Sequence, residues 1–338
     1  MKTGKVSESI LKRSVLRQIK TKREEIISGA VLGGDCAIFS LSSLAEQGAL
    51  ATCMQESAVL TDAFPDVWPA VTMEDLITVC VNNLAVGGAN PFAMLLTLLL
   101  PQELEEPELK SLMAQAEATC KKYEMQIAGG QTLTTQTVNA PVAVITGYGV
   151  TSQKPGKAMP GQDVIITKWV GLQGTSYLAK RYKEGLCSRY PAYYIEEAAS
   201  FDKYLSIIPE AAVAAKSGVG AMHDISKGGV FGALWELAES AGVGLDIDLK
   251  KIPLKQETVE VCEYCNVNPY ELMSGGSLMI TTFEGEALLH ALNEAGIEAC
   301  IVGCVTDSKE RILRNEDEIR YMDRPAPDSI YGAGKLES

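Results

Sequence analysis

The chain has 338 residues, of which 46% are hydrophobic, so it is long enough for two globular domains and apolar enough to bury their cores. Its 30 Lys and Arg residues stand against 43 Asp and Glu residues, and the formal charge of −13 excludes a basic module that binds nucleic acid. Nine cysteines are too few for a secreted disulfide scaffold, and their odd number leaves one unpaired, which favours a reducing cytoplasm.

The first half of the chain alternates helical and strand patterns. Met1 to Glu25 contain no continuous apolar run, so we expect no export signal. Leu76 to Gln102 carry no charge, but Gly-Gly and Asn-Pro interrupt them, which predicts a buried helix and a buried strand and no membrane span. In chain order we predict a helix at 7–19, apolar runs at 36–41 and 58–60, a helix at 72–86, a strand at 92–100, a helix at 105–123 and strands at 125–128 and 141–150.

Turn residues at 152–161 predict a boundary between two domains, 1–152 and 153–338. In the second domain we predict strands at 164–169, 220–223, 244–249, 278–282 and 300–305, with helices at 174–184, 196–205, 210–217, 227–241 and 285–295. Because each half mixes strands with helices and no repeat of fixed period is found, the sequence predicts two α+β domains.

Polar side chains follow glycines or end apolar runs at several places, and they are candidates for a metal site. They are Asp35 after Gly33-Gly34, then Asp62, Asn83 and Asp224 after His223. Mg²⁺ bound to a polyphosphate takes one or two protein carboxylates and fills its other positions with phosphate oxygens and water. For any one of these positions a carboxylate that caps a turn is the simpler interpretation, and only the set together favours a ligand site.

Two further glycine-rich stretches are predicted to be turns facing a ligand, Gly129-Gly130-Gln131-Thr132 and Lys227-Gly228-Gly229. Their glycines would let backbone N–H groups approach phosphate. Neither stretch matches a Walker P-loop or a dinucleotide fingerprint, so their spacing alone leaves the ligand open.

Several motifs, in order along the chain, resemble the aminoimidazole ribonucleotide (AIR) synthase superfamily in its HypE branch. The longest similar run begins at Met222-His223-Asp224-Ile225-Ser226-Lys227-Gly228-Gly229-Val230, which resembles the HDxTRGG region of that family. The other similar motifs are Gly34-Asp35-Cys36-Ala37, Thr61-Asp62, Val81-Asn82-Asn83-Leu84-Ala85, Gly129-Gly130-Gln131-Thr132, Pro160-Gly161-Gln162-Asp163, Lys168 to Gly174 and Ser274-Gly275-Gly276-Ser277-Leu278. The resemblance covers residues 4 to 306.

The resemblance implies a HypE-like architecture of two α+β domains. The N-terminal domain would bind ATP and form a β-barrel shared by a homodimer, and the C-terminal domain would be an α/β sandwich. It implies Mg²⁺ on Asp35, Asp62 and Asp224, and catalysis by Asp62, Asp224, Lys227 and His223. The implied nucleotide-binding residues are Gly33, Gly34, Asp35, Asn83, Gly129, Gly130, Gln131, Thr132, Gly228 and Gly229.

The family reaction is an activation of an amide or related oxygen by phosphorylation, and HypE itself dehydrates a thiocarboxamide on its own C-terminal Cys. Here no cysteine follows Cys304, so we do not expect that reaction on the chain itself. Neutral residues replace family acids at Gly34 and Asn83, and Gln131 and Leu133 replace a His and a Glu, which would weaken the hold on Mg²⁺. Lys227 replaces an Arg and keeps its charge without the bidentate fork.

Two hypotheses stay open from the sequence. The first is an ATP- and Mg²⁺-dependent cytoplasmic enzyme that phosphorylates an amide or carbonyl oxygen of a small-molecule acceptor, with a maturation protein as a further partner and neither nucleic acid nor membrane. The second is a catalytically weakened or inactive homologue that binds nucleotide, or a partner protein, as a dimeric scaffold. The cysteines Cys262, Cys265, Cys300 and Cys304 could form a zinc set, but packing of small apolar side chains is the simpler interpretation.

Overall fold

The computed structural model describes residues 4–5, 10–28, 30, 38–40, 42–43, 49–52, 56–60, 71–151, 156–325 and 327–334. The chain divides into two compact units, Met1–Lys154 and Pro155–Ser338. Both units combine sheets with helices, which confirms the α+β class. The roles assigned to 1–152 and 153–338, and the dimeric barrel, stay predictions. In the described part of the chain, no helix has both the length and the apolar character that a membrane span requires.

The first unit is built on one mixed sheet. Its strands are β1 (Gly4–Lys5), β4 (Ala49–Thr52), β5 (Glu56–Val59), β6 (Asn90–Leu100), β7 (Gln126–Thr134) and β8 (Val142–Thr151), in the order β1-β7-β6-β8-β4, with β5 also on β8. A separate pair joins β2 (Ile26–Ser28) to β3 (Ile38–Phe39). Helices α1 (Met73–Val86) and α2 (Glu106–Lys122) complete the unit. Because β6 and β7 are parallel, the chain must cross over between them, and α2 is that crossover.

The helix and strand predicted in the uncharged stretch are confirmed by α1 and β6. Thr72 starts α1 with a capping box, in which its hydroxyl accepts from Asp75 N–H at 3.0 Å while the Asp75 carboxylate accepts from Thr72 N–H at 3.0 Å. The helix ends before Gly87-Gly88, as the glycine pair predicts. Most apolar residues of the uncharged stretch lie on the buried face of α1 or at the buried positions of β6.

The second unit contains a larger sheet whose strands are mostly antiparallel. The strands are β9 (Asp163–Thr167), β10 (Ala221–Ile225), β11 (Gly244–Asp248), β12 (Ser277–Thr282), β13 (Ala299–Thr306), β14 (Arg311–Asn315) and β15 (Glu318–Tyr321), in the order β10-β12-β9-β13-β11-β14-β15. Its helices are α3 (Leu172–Arg181), α4 (Lys183–Arg189), α5 (Ala192–Ala199), α6 (Ile208–Lys216), α7 (Gly229–Ala241), α8 (Gln256–Cys265) and α9 (Gly285–Glu294). One face of α7, including Val230 and Leu234, packs in a core with Ile225 of β10.

The structure differs from the sequence predictions at several places. In the segment predicted as a helix at 7–19, the structure has a short π-helix (Leu11–Val15) and a 3₁₀ turn (Leu16–Gln18), and Ser14 Oγ there donates to Glu106 of α2 at 2.6 Å. Strand β7 continues through Gly129 and Gly130 to Thr134, where a turn was predicted. Strand β10 runs two residues beyond the predicted end at His223. Strands β14 and β15 were missed because they are short and rich in polar residues, and β15 is fully exposed.

A buried ion pair ties three elements of the second unit together. Lys168 follows β9 in the left-handed region, at φ 53°, and its side chain is 11% exposed. Its ammonium lies 2.6 Å from Glu210 Oε1 of α6 and donates to Tyr204 O at 2.9 Å and to Ser206 O at 2.8 Å. Burial lowers the pKa of Lys168, while the adjacent Glu210 carboxylate opposes that change.

We predict that Lys168→Met lowers the free energy of unfolding by about 3–5 kcal/mol, because it leaves the buried Glu210 carboxylate without its counter-ion. The matched control is Lys180→Met, which breaks the surface pair with Asp202 and should cost about 0–1 kcal/mol. Urea unfolding followed by circular dichroism measures both. A loss for Lys168→Met no larger than that of the control contradicts the assignment of Lys168 as a structural tie.

Candidate functional site

The residues predicted to bind metal and phosphate in the second unit lie at the end of β10. Asp224 pairs with Leu278 of β12 and is one residue from the end of the strand. Its side chain is 16% exposed. Lys227 lies in the turn that follows, just before α7, and is exposed. A carboxylate near the end of a strand and an ammonium in the turn that follows it suit a cation and the phosphate oxygens that it binds.

His223 links the strand to the helix that packs on it. Its Nδ1 lies 3.6 Å from Asp224 Oδ1, and its Nε2 lies 3.2 Å from Glu236 Oε2 of α7. Burial by itself would lower the pKa of His223, but hydrogen bonds to Asp224 and Glu236 outweigh it and raise the pKa to about 9. In the metal-free protein, the two carboxylates therefore favour the protonated imidazole.

The backbone N–H groups of the glycine turn are already bonded within the chain. Gly228 N–H donates to Asp328 Oδ2 at 2.7 Å, and Gly229 N–H donates to the carbonyl of Ser226 at 3.2 Å. The sequence led us to expect that these N–H groups would face phosphate, and in this structure both donate to acceptors of the chain. Their binding of phosphate stays a prediction.

In the first unit, Asn83 is placed by α1 beside a carboxylate. Its Nδ2 donates to Glu56 Oε1 of β5 at 2.8 Å, which fixes the orientation of the amide because only the NH₂ group can face a carboxylate. The amide oxygen is then the atom of Asn83 that can bind a cation. The contact also places an acidic residue, Glu56, next to the position where the family has an acid.

The other predicted nucleotide-binding stretch of the first unit lies within β7. Gly129, Gly130, Gln131 and Thr132 pair with β6, so the expected turn is a strand. Gly130 has φ 142°, and a Cβ there would lie 1.8 Å from the Leu96 carbonyl oxygen, so the close approach of β6 requires glycine at this position. Gly130 and Gln131 are nevertheless exposed. Contact with a ligand at this stretch would therefore be made from the strand.

The remaining predicted residues, Gly33, Gly34, Asp35 and Asp62, lie outside the described residues. Within residues 71–151, 156–325 and the shorter described segments, no three His, Cys, Asp or Glu side chains form a group that could hold a metal. The donors that are described, the Asp224 carboxylate and the Asn83 amide oxygen, are hard oxygen ligands of the kind that Mg²⁺ prefers. The exposed Lys227 suits phosphate. By its chemistry, each of these side chains taken by itself suits Mg²⁺ or phosphate, while the N–H groups of Gly228 and Gly229 have acceptors within the chain.

The cysteines behave as packing residues. Cys262 and Cys265 lie in α8 and are buried, and burial raises the pKa of Cys265 to about 12. Burial also raises the pKa of Cys300, to about 11. Cys262, Cys265, Cys300 and Cys304 are all described, and no three His, Cys, Asp or Glu side chains of the described residues form a group that could hold a metal.

Sequence analysis missed three side chains that organise these positions: Glu56, Glu236 and Asp328. Glu236 lies on α7, and the period of the helix could have placed it on the face toward β10. Glu56 and Asp328 act across 27 and 100 residues of sequence, and no local pattern indicates such contacts.

Two family models match most of the chain. The AIR synthase related protein N-terminal domain matches residues 33–151, and the AIR synthase related protein C-terminal domain matches residues 159–314. The carbamoyl dehydratase HypE of Rhodobacter capsulatus is 30% identical over 281 residues, covering 80% of this chain and 79% of the relative.

Solved structures share the fold. The crystal structure of E. coli HypE, a hydrogenase maturation protein, has a TM-score of 0.78 at 20% identity, covering 96% of this chain and 98% of the other. A HypE in complex with ATP has a TM-score of 0.73 at 17% identity, covering 97% of each chain. A HypE–HypF complex has a TM-score of 0.67 at 21% identity, covering 82% of this chain and 90% of the other.

We predict that the pKa of His223 in the metal-free protein is about 9 and that Glu236→Gln lowers it, because the variant removes one of the two carboxylates that favour the imidazolium. By linkage, the stability that this pair contributes is present below the unfolded pKa of about 6.5 and is lost as the pH rises through the folded value. Proton NMR of the imidazole resonances measures the titration.

The matched control is Glu294→Gln, which removes the carboxylate beside the other histidine, His290. It should leave the titration of His223 unchanged. An unchanged pKa of His223 in Glu236→Gln would contradict the assigned contact.

Proposed function

The chain belongs to the AIR synthase related family, in its HypE-like branch, and from that premise we propose that it is an ATP-dependent enzyme that dehydrates a carbamoyl or related carboxamide group. The observation that carries the proposal is the end of β10, where the partly buried Asp224 carboxylate is followed three residues later by the exposed Lys227. The activity of the R. capsulatus relative and the ATP complex of a structural neighbour support it.

We assign the nucleotide and the metal to the following groups. Asp224, with Asp35 and Asp62, would bind Mg²⁺, and the amide oxygen of Asn83 would add a neutral ligand. Bound Mg²⁺ neutralises charge on the phosphate oxygens that it contacts. The lysine of the turn would meet the same phosphates as a point charge, and Gln131 and Thr132 would contact the nucleotide from the exposed edge of β7.

The reaction that we propose transfers the amide oxygen to phosphate. The carbonyl oxygen of the carboxamide attacks the terminal phosphorus of ATP, and ADP leaves. The phosphate then departs with that oxygen, the nitrogen loses its two protons, and the carbon and nitrogen form a nitrile. Lys227 offsets negative charge on the transferred phosphate, and His223 and Glu236 keep Asp224 in place from the α7 side.

The acceptor that we propose is a separate molecule. Residues 305–338 contain no cysteine that could carry the carbamoyl group. A small-molecule acceptor or a thiol on a partner protein fits this composition. The HypE–HypF complex supports a maturation protein as that partner, and a homodimer remains part of the proposal.

The second hypothesis, a nucleotide-binding scaffold with weakened catalysis, rests on the neutral residues at Gly34 and Asn83 and on Gln131 and Leu133. The bond from Asn83 to Glu56 bears on it, because Glu56 restores an acidic group beside the substituted position. The two hypotheses differ in whether bound nucleotide is consumed when an acceptor is present.

We predict that a nonhydrolysable ATP analogue binds the purified protein only weakly without Mg²⁺ and that Asp224→Asn and Asp62→Ala remove the gain that Mg²⁺ gives. The physical reason is that each variant replaces a charged metal ligand by a neutral group. Isothermal titration calorimetry with and without Mg²⁺ measures this.

The control for that measurement is Asp202→Asn, which changes a surface carboxylate paired with Lys180 and should bind as the wild type does. No binding by the wild type, with or without Mg²⁺, would sink the nucleotide assignment. Binding that Asp224→Asn leaves unchanged would move the metal away from the β10 turn.

A further inference from the structure

Asp328 is a buried carboxylate that gathers three separate backbone segments. The residue is 7% exposed. Its Oδ2 accepts from Gly228 N–H at 2.7 Å, and its Oδ1 accepts from Met273 N–H at 3.2 Å and from Ile330 N–H at 3.0 Å. A carboxylate that receives three N–H groups is well satisfied despite its burial, and such charge-assisted bonds are stronger than neutral ones.

The segment that carries Asp328 is itself anchored. Ile330 is 1% exposed, and Ser329 N–H donates to Glu271 O at 3.2 Å while its hydroxyl donates to Asn268 O at 3.1 Å. The Tyr182 hydroxyl donates to Ala333 O at 3.4 Å. Residues 328–333 are therefore fixed to the body of the second unit, and Asp328 reaches the glycine turn from a rigid base.

The turn that Asp328 contacts is packed at one glycine and open at the other. Gly228 has φ 83°, in the left-handed region, and a Cβ at this residue would meet nothing closer than Gly232 Cα at 3.8 Å, whereas a Cβ at Gly229 would lie 2.4 Å from the Tyr270 carbonyl oxygen. Packing therefore holds the turn at Gly229 but not at Gly228. The bond from Gly228 N–H to Asp328 supplies a fixed partner, since this N–H belongs to the residue directly after Lys227.

We propose that Asp328 is a positioning residue for the candidate site: its carboxylate fixes the turn at Gly228 and with it the direction of the Lys227 side chain toward the nucleotide phosphates. Asp328 does not touch the ligand. The inference deepens the proposed function, and it rests on that function in assigning phosphate to Lys227. The hold on the turn itself does not depend on any ligand.

The test compares Asp328→Asn with a matched control, Asp248→Asn. Both aspartates precede a 3₁₀ turn and accept the N–H two residues ahead, but Asp248 does so at the start of Leu249–Lys251 and has no bond to the glycine turn. The second variant is Asp328→Ser, because serine can cap Ile330 N–H and keep the chain folded but is too short to hold Gly228 N–H.

Amide hydrogen exchange at Gly228, followed by NMR, reports the hold on the turn. We expect exchange about tenfold faster or more in both Asp328 variants, with the β12 amides still protected, and no change in Asp248→Asn. Affinity for the nonhydrolysable ATP analogue with Mg²⁺ should fall about tenfold, while affinity for adenosine, which has no phosphate, stays the same.

Unchanged exchange at Gly228, or analogue affinity equal to that of Asp248→Asn, overturns the proposal. Equal losses for analogue and adenosine also overturn it, because they indicate general loosening of the fold. If the wild type binds no analogue, the proposed function fails separately. Exchange at Gly228 then still decides whether Asp328 holds the turn.

Discussion

The end of the β10–β12 ladder is the constraint on which the candidate site depends. Pairing stops at Ile225 and Ser277, and the chain must then reverse into α7 with its polar backbone groups satisfied. The carbonyl of Ser226 accepts from both Gly229 N–H and Ser274 N–H, and Asp328 accepts from Gly228 N–H. These backbone groups of the turn thus have partners within the second unit. The exposed side chain in the turn is that of Lys227, three residues after the partly buried Asp224.

Fixed charges do much of the organising in the second unit. Lys168 is held by Glu210 and two carbonyl groups, and Asp328 is held by three N–H groups. His223 contacts one carboxylate on its own strand and another on α7. Each of these charged groups has partners on more than one segment of the chain. Each one therefore fixes the relative positions of those segments more firmly than apolar packing alone would.

The sequence predicted best where one short-range rule applied. Thr72 and Gly87-Gly88 mark both ends of α1, and Gly242 ends α7 in the left-handed region, as the C-cap rule predicts. Prediction from the sequence failed where a glycine is required by the close approach of another strand. Gly129-Gly130 indicated a turn, but Gly130 lies in β7, where β6 leaves no room for a Cβ. The polar strands β14 and β15 gave no apolar run to detect.

In the candidate site, too, local sequence indicated some residues, and tertiary contacts determine the others. Residues Asp224, Lys227 and Asn83 were identified from their types and order, whereas the partners that orient them, Glu236, Asp328 and Glu56, lie far along the chain. The N–H groups of Gly228 and Gly229 have partners within the chain, so their contact with phosphate stays a prediction. Residue order predicted candidate groups, but only the fold shows which of their atoms have partners within the chain.

The measurement that tests the central claim most directly follows the amide oxygen. The protein is incubated with ATP, Mg²⁺ and S-carbamoylcysteine labelled with ¹⁸O in the carbamoyl group, and the released phosphate is analysed by ³¹P NMR. The account predicts phosphate carrying one ¹⁸O atom, together with the thiocyanate product. Phosphate without the label, or recovery of the labelled carbamoyl compound after ATP has been consumed, would contradict dehydration through oxygen transfer.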